Sequence, residues 1–434
     1  MKKTLSLPIF GDDGFRDTFG KGLMTIKNIE IFSSAFGKFI KRKKKIKYEV
    51  IIAKDTRGSG VIIERIIIKY LNLHGINTYS TGVMSTPGLS KIIQYSKNCY
   101  GIMITASHNE FKDNGIKLFE PSGYKMKRDD EKIIETLMLT KKNVSFSKII
   151  GEHRFIKNSI NFYLSKLRLN FKKQLIDQKV LVDCSNGSMS LVFEKLSKKH
   201  KNIILINNKP NGRNINLRCG ALEPKRLANQ MLKRKINYGV AFDGDGDRVI
   251  FLLREYGLIE AEKILYLFAE KFKNLHKSFV ASEIINFGII KEFKKSKFKI
   301  YTSKVGDRNV VDKVRVKRSL IGMEPSGHFH FSNKTNSMDA LITFFEFFKL
   351  FENQHQLLKK LNSILLFKRE IKNLSIKKIK IRKENLKKIN NLSVKFDERI
   401  LARQSIWEPT LRIYYDYNSK NNFSKYMKRI KKLI

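Results

Sequence analysis

The chain has 434 residues, 42% of them hydrophobic, which is more than one core usually organises, so two to four domains are expected. Its 87 Lys plus Arg against 40 Asp plus Glu leave a net charge of +47, which by itself points toward a nucleic acid or an anionic membrane. Against a basic nucleic-acid-binding protein, the cations spread over every segment with no aromatic-basic RNA motif, helix-turn-helix cue or zinc spacing. Drift of an A/T-biased coding sequence onto solvated faces is the plainer reading, and a milder functional one is attraction of a phosphorylated substrate.

In chain order, Lys2 and Lys3 are followed by no apolar run before Asp12 and Asp13, so no signal peptide is expected. Short apolar segments predict strands over 48–53, 101–105, 179–183, 238–242, 249–253 and 319–322. Between the first two, Ser59 is placed to cap a helix. Ile62, Ile63, Ile66, Ile67, Tyr70 and Leu71 follow a 3.6 period in it, and Gly75 stops it. Strands alternating with helices imply α/β layers. Cys99, Cys184 and Cys219 lack CxxC spacing and predict neither a disulfide framework nor a zinc site. The most apolar stretch, 340–350, carries Glu346 and Lys349 and is too short to span a bilayer. A cytoplasmic, reducing location and no membrane partner follow. From about 368 the pattern turns to Lys-rich alternating segments, predicting a separate small α+β domain.

Four elements carry chemistry. Thr105-Ala106-Ser107-His108-Asn109, just past an apolar strand, sets a serine where its hydroxyl can enter a cleft, although taken singly such a serine is more often a turn-forming or capping one. Asp243-Gly244-Asp245-Gly246-Asp247-Arg248 places three carboxylates at alternate positions with glycines for tight folding, a pattern that converges on one hard cation such as Mg²⁺. An EF-hand is excluded, since Arg248 and Arg254 stand where its Gly and Glu belong. Glu324 and Ser326, in a Gly-bounded loop with His328, offer acceptors and donors suited to the hydroxyls or amine of a sugar. Arg403 and Arg412 flank Ser405, and guanidinium forks match a phosphate monoester.

These elements in this order resemble the α-D-phosphohexomutase superfamily, and within it the bacterial phosphoglucosamine mutase family most closely, from about residue 8 to 420. Phe10-Gly11, Asp13-Gly14-Phe15-Arg16, the stretch from Lys54 to Gly60, Asp183 to Gly187, Asn214-Ile215-Asn216 with Cys219-Gly220-Ala221, and Lys304-Val305-Gly306-Asp307-Arg308 extend the match. The resemblance implies α/β architecture in four domains around a central cleft, three related and a fourth α+β. Their expected extents are 1–150, 151–252, 253–367 and 368–434.

The resemblance also implies an isomerase that interconverts glucosamine 6-phosphate and glucosamine 1-phosphate through a 1,6-bisphosphate, feeding UDP-N-acetylglucosamine synthesis and peptidoglycan. Ser107 is the expected phosphoserine and, with Asp243, Asp245 and Asp247, the ligand set for one Mg²⁺. Glu324, Ser326 and Arg248 are expected on the sugar, and Arg403, Ser405 and Arg412 on the idle phosphate. Arg16 and Lys117 are implied electrostatic stabilisers, and Lys117 and His328 candidate acid/base groups. A homodimer is usual among similar proteins. Ile406 and Trp407 replace the family's Gly-Thr after the phosphate-loop serine, and Asp12, Asp17, Glu110 and Pro325 replace Thr, Gly, Pro and Gln. A phosphomannomutase or phosphoglucomutase is the nearest alternative, followed by a decayed, inactive scaffold.

Overall fold

The computed structural model describes residues 8–43, 48–140, 146–167, 178–376, 381–393, 397–404, 409–419 and 422–434. Its strands form four sheets. The first contains β1 (Phe15–Thr18), β2 (Glu49–Lys54), β3 (Thr78–Val83), β4 (Cys99–Ile104), β5 (Asp113–Phe119) and β6 (His153–Phe155), in the order β1-β5-β4-β2-β3-β6. The second contains β7 (Val180–Asp183), β8 (Ile203–Ile206), β9 (Tyr238–Phe242), β10 (Val249–Leu253) and β11 (Gly257–Ile259), in the order β11-β10-β9-β7-β8. The third orders β12 (Ser278–Ser282), β13 (Lys299–Ser303), β14 (Ile321–Glu324) and β15 (His328–Phe331) as β13-β12-β14-β15. The fourth orders β16 (Lys368–Ser375), β17 (Glu398–Gln404) and β18 (Thr410–Tyr417) as β16-β18-β17, all antiparallel.

One device recurs. Each of the first three sheets is parallel at its centre, as helical crossovers require, and carries an antiparallel hairpin toward one edge: β4–β5, β9–β10 and β14–β15. The Ser107 loop, the aspartate loop and the Glu324–His328 loop are the turns of those three hairpins. In the fourth sheet the antiparallel pair β17–β18 carries Arg403 and Arg412. The predicted strands match β2, β4, β7, β9, β10 and β14 to within about two residues.

Several local expectations shift. The helix Ser59–Leu73 is capped by Gly58, while Ser59 lies inside it and its hydroxyl accepts from Asn114 Nδ2 at 2.9 Å. The expected borders at 150 and 252 fall inside sheets, because β6 pairs with β3 and β11 with β10. Strands of three residues show no period that a sequence reading can find.

The apolar stretch near 340 is a helix, Ala340–Phe347, with all eight residues buried. Phe344 meets Phe193 at 5.2 Å and Phe242 at 6.2 Å, and Phe347 stacks on Phe251 at 4.0 Å. A helix from the third unit therefore plugs the second, and one apolar cluster runs from Ile51 through Val240 to Leu361. Among the described residues no helix is long and apolar enough to cross a membrane.

Candidate active site

Ser107 sits just beyond β4 at φ +52°, in the left-handed region a serine rarely occupies, and is 1% exposed. A buried brace holds it there. Asp55 accepts from Thr105 Oγ1 at 2.7 Å and from Arg57 Nε at 2.9 Å. The Arg57 guanidinium donates in turn to the carbonyls of Ser107, Asn109, Glu110 and Asp113. Asn216, from the second unit, adds bonds to the Ser107 and Asn109 carbonyls at 2.8 and 3.0 Å. Strain at a single residue persists only where its surroundings over-determine it, and these bonds do so.

The aspartate loop meets this turn directly. Ser107 Oγ donates to Asp243 Oδ2 at 2.7 Å. Gly244 permits the approach, since a Cβ there would lie 2.6 Å from the Ser107 carbonyl oxygen. Asp243, Asp245 and Asp247 are all buried, and each offers a carboxylate oxygen within 4.8 Å of the others. Thr86 Oγ1 donates to Asp245 Oδ2 at 2.5 Å, whereas Asp245 Oδ1 is buried with no hydrogen-bond partner. An orphaned buried carboxylate oxygen in a hard-oxygen cluster fits a divalent metal ion, which this family of folds implies. Burial, reinforced by Asp247 and Asp245, pushes the Asp243 pKa well up.

Lys117, from β5, lies among these carboxylates. Its Nζ is 2.8 Å from Asp245, 3.2 Å from Asp247 and 2.9 Å from Asp13. Burial works to lower its pKa, but the three carboxylates outweigh burial and hold it well above the ordinary value. These three carboxylates favour the charged form of Lys117 at this position. Arg16 lies close by, its guanidinium donating to the Ala106 carbonyl at 3.4 Å and to Asp13.

His328 Nε2 is 3.1 Å from Asp247 Oδ1, and Nδ1 is 3.3 Å from Glu324 Oε2 and 3.0 Å from Ser326 Oγ. Burial and Arg248 push its pKa down, but Asp247 and Glu324 prevail and raise it to about 9. The ring is therefore charged at neutral pH, and the 3.1 Å approach of Arg248 Nε to Nε2 is a crowding of cations around Asp247 rather than a hydrogen bond. Glu324 Oε1 accepts from the Gly306 amide at 2.8 Å.

Beyond these groups opens a cleft of about 540 Å³ to which all four units contribute: Arg16, Arg248, Glu324 with Ser326 and His328, and Arg403 with Arg412. That volume suits a sugar phosphate. Arg403 and Arg412 are direct cross-strand partners in the β17–β18 ladder. Like charges placed opposite one another repel and are best relieved by an anion. Ser405, and with it Ile406 and Trp407, lies outside the described residues.

Sequence reasoning assigned no role to several residues at the site. Asp13 joins Arg16, Lys117 and Lys125, and Lys125 also reaches Asp307, tying the first unit to the third. His108 Nδ1 lies 3.3 Å from Ser107 Oγ, and burial, with Arg248 and Arg16, lowers its pKa to about 4. The available signal was position: Asp13, Arg57 and His108 all stand inside the quoted motifs.

A serine hydroxyl, an aspartate trio and a Glu–Ser–His loop, each at the turn of its own hairpin, with an arginine pair on the strands of a fourth sheet, all around one cleft, make up the arrangement of an α-D-phosphohexomutase. Residues 7–145 match the model for phosphoglucomutase/phosphomannomutase alpha/beta/alpha domain I, and residues 260–367 match domain III. Phosphoglucosamine mutase of Helicobacter pylori (strain G27) is 31% identical over 99% of both chains. That of Campylobacter jejuni subsp. jejuni is 34% identical over 79% of this chain and 78% of the relative. A phosphoglucomutase/phosphomannomutase family protein from Burkholderia thailandensis superposes with a TM-score of 0.84 at 19% identity, covering 99% of this chain and 97% of that one. The chain belongs to the phosphoglucosamine mutase family.

Proposed function

We propose that this chain interconverts glucosamine 6-phosphate and glucosamine 1-phosphate, with Ser107 carrying a phosphoryl group between turnovers. The observation that carries the reading is the meeting of Ser107 Oγ with Asp243 at 2.7 Å beside Asp245 and Asp247. The substrate choice rests on the full-length likeness to proteins named phosphoglucosamine mutase.

An unmodified serine is a weak nucleophile, so the resting active form is phosphoserine. Sugar O1 attacks its phosphorus, the P–Oγ bond breaks, a P–O1 bond forms, and the hydroxyl proton ends on Ser107 Oγ. The bound 1,6-bisphosphate then turns over. Its 6-phosphoryl passes back to Ser107 by the same exchange, leaving glucosamine 1-phosphate.

Asp243, Asp245, Asp247 and an oxygen on Ser107 would hold one Mg²⁺, which supplies charge neutralisation for the transferring phosphoryl group. Arg16 and Lys117 add fixed positive charge at the same place. His328 would serve as the proton donor, and His108 Nδ1 lies 3.3 Å from Ser107 Oγ. Glu324, Ser326 and Arg248 orient the sugar, and Arg403 and Arg412, with Ser405, grip whichever phosphate is not reacting. Three buried free cysteines are at home in a reducing cytoplasm.

Mass spectrometry after incubation with glucose 1,6-bisphosphate should find phosphate on Ser107, and turnover should be fastest on glucosamine 6-phosphate. Absence of phosphate on Ser107 would overturn the mechanism. Faster turnover of mannose or glucose 6-phosphate would overturn the substrate choice.

A further inference from the structure

The fourth unit is basic beyond the rest of the chain. Residues 368–434 hold 20 Lys and Arg against 6 Asp and Glu. Period-two alternation decides where its groups go. Along β18, Leu411, Ile413 and Tyr415 join the apolar cluster beneath two helices, Lys383–Asn390 and Phe423–Leu433. Arg412 and Tyr414 face the cleft on the other side, and Asp416 bonds Arg369 and Arg399 there. The helical layer is therefore the outer face, away from the active site.

The helix Phe423–Leu433 divides cleanly. Phe423, Tyr426, Met427 and Ile430, at i, i+3, i+4 and i+7, are buried against the sheet. Lys425, Lys428, Arg429 and Lys432 follow the same spacing on the opposite side and are exposed. The neighbouring helix continues the field with exposed Lys383 and Lys387, and Asn385 Nδ2 ties the two helices by donating to the Leu433 carbonyl at 2.9 Å.

The two helices contain one carboxylate, Glu384. Of the unit's other acids, Glu398 is 5% exposed and accepts from the Tyr415 and Tyr426 hydroxyls, Asp416 is fully buried, and the exposed Asp397 is paired with Lys291 of the third unit. Among the described residues these six cations have no carboxylate partner. By contrast, the helix Arg128–Leu139 on the first unit carries Asp129, Asp130 and Glu131 in its first turn.

We propose that this outer face is a docking surface for an anionic lipid bilayer. Charge complementarity selects a polyanion, and cations at this density add together at a charged membrane surface. Its aromatics, Phe423 and Tyr426, are buried and offer no platform for the stacked bases of a single strand. Two helices lying side by side on a sheet present a broad array of point charges rather than an element that enters a groove. The apolar side of the helix is committed to its own core, so docking is peripheral, reversible and electrostatic, without insertion. The cleft stays open on the opposite face of the sheet.

The test is sedimentation of the full chain with vesicles of phosphatidylcholine alone or containing about one third phosphatidylglycerol, at low and high salt. Binding should require the anionic lipid and fall at least about tenfold in high salt. The variant Lys425→Gln, Lys428→Gln, Arg429→Gln, Lys432→Gln should lose at least about tenfold in partitioning while keeping its mutase activity. A control with Lys195→Gln, Lys198→Gln, Lys199→Gln and Lys201→Gln, exposed cations of the second unit, should bind as the parent does. No preference for anionic vesicles at low salt would overturn the proposal, as would equal loss in the two variants. Tighter binding of duplex DNA or RNA than of vesicles through the same four residues would replace the bilayer with a nucleic acid.

Discussion

Ser107 and Asp243 stand 136 positions apart in the chain, yet the serine hydroxyl donates to the aspartate Oδ2 at 2.7 Å in a buried site. The contact joins two hairpin turns from two different sheets, and Gly244 makes room for it. A phosphoryl carrier and a cation site separated by more than this could not share one ion. Placing both on turns anchored by parallel sheets fixes their distance better than mobile loops would.

Ser107→Ala should abolish phosphate incorporation and lower kcat by at least about a thousandfold, because residual catalysis has no carrier. Quench-flow labelling with a radioactive bisphosphate checks this. Retained labelling on another residue would move the carrier role elsewhere.

Asp245→Asn keeps the side chain's size and its reach to Thr86 while removing one charge from the trio. Divalent cation affinity should drop at least about tenfold by calorimetric titration, a readout independent of turnover. Unchanged affinity would place the ion outside the trio.

Lys117→Met leaves Asp245 and Asp247 buried without the ammonium between them, while Asp13 keeps Arg16 and Lys125. Removing one partner of a buried charged cluster costs about 3–5 kcal/mol, so the thermal midpoint should fall by several degrees. Adding divalent cation should restore part of the loss, since binding to the folded state alone stabilises it. A variant as stable as the parent would mean the carboxylates are already protonated.

Asp12, standing where the family usually has threonine, approaches Arg403 to 4.0 Å at the cleft. If Arg403 grips substrate phosphate as proposed, the Asp12 carboxylate would compete for that guanidinium. Asp12→Asn should lower KM about fivefold with kcat little changed, the equivalent of about 1 kcal/mol for an exposed pair. In an Arg403→Gln background the same change should have no effect, and additivity in that cycle would remove the competition.

His330 is fully buried, with Nδ1 3.1 Å from the Ser337 carbonyl and Nε2 without a partner, and burial lowers its pKa to about 4. The unfolded ring takes up a proton near pH 6.5, the folded one only near 4, so its contribution to stability falls as pH drops through that window. The loss reaches roughly 3 kcal/mol at the acid end. Asp339 works oppositely, because burial raises its pKa to about 6 and the folded state gains a proton first. Comparing the parent with His330→Met in denaturant melts across pH isolates the histidine, whose removal should flatten the acid limb.

Strands were legible at several apolar runs bounded by polar turns, as at Tyr238–Phe242, though the equally apolar Ile203–Ile206 went unread. The trio at Asp243, Asp245 and Asp247 was legible for a different reason: alternate carboxylates with glycines between them have few uses besides a cation. Ser59 misled because a serine before a helix is an ordinary cap, and only the fold shows its hydroxyl engaged by Asn114 from β5.

The amino-acid order by itself determined the strands that lead into the three turns and the chemistry of those turns, since these depend on neighbours within a few positions, whereas the return strands Asp113–Phe119 and His328–Phe331 did not stand out. Tertiary structure alone decided that Lys117 sits among three carboxylates, that Asp13 and Lys125 clamp the first unit to Asp307, and that the helix Ala340–Phe347 fills a neighbouring unit's core. Those outcomes turn on burial and on charges brought together from distant positions. Burial strips water from a carboxylate or an ammonium, and which partner then compensates it is a property of the packed fold, not of any local pattern.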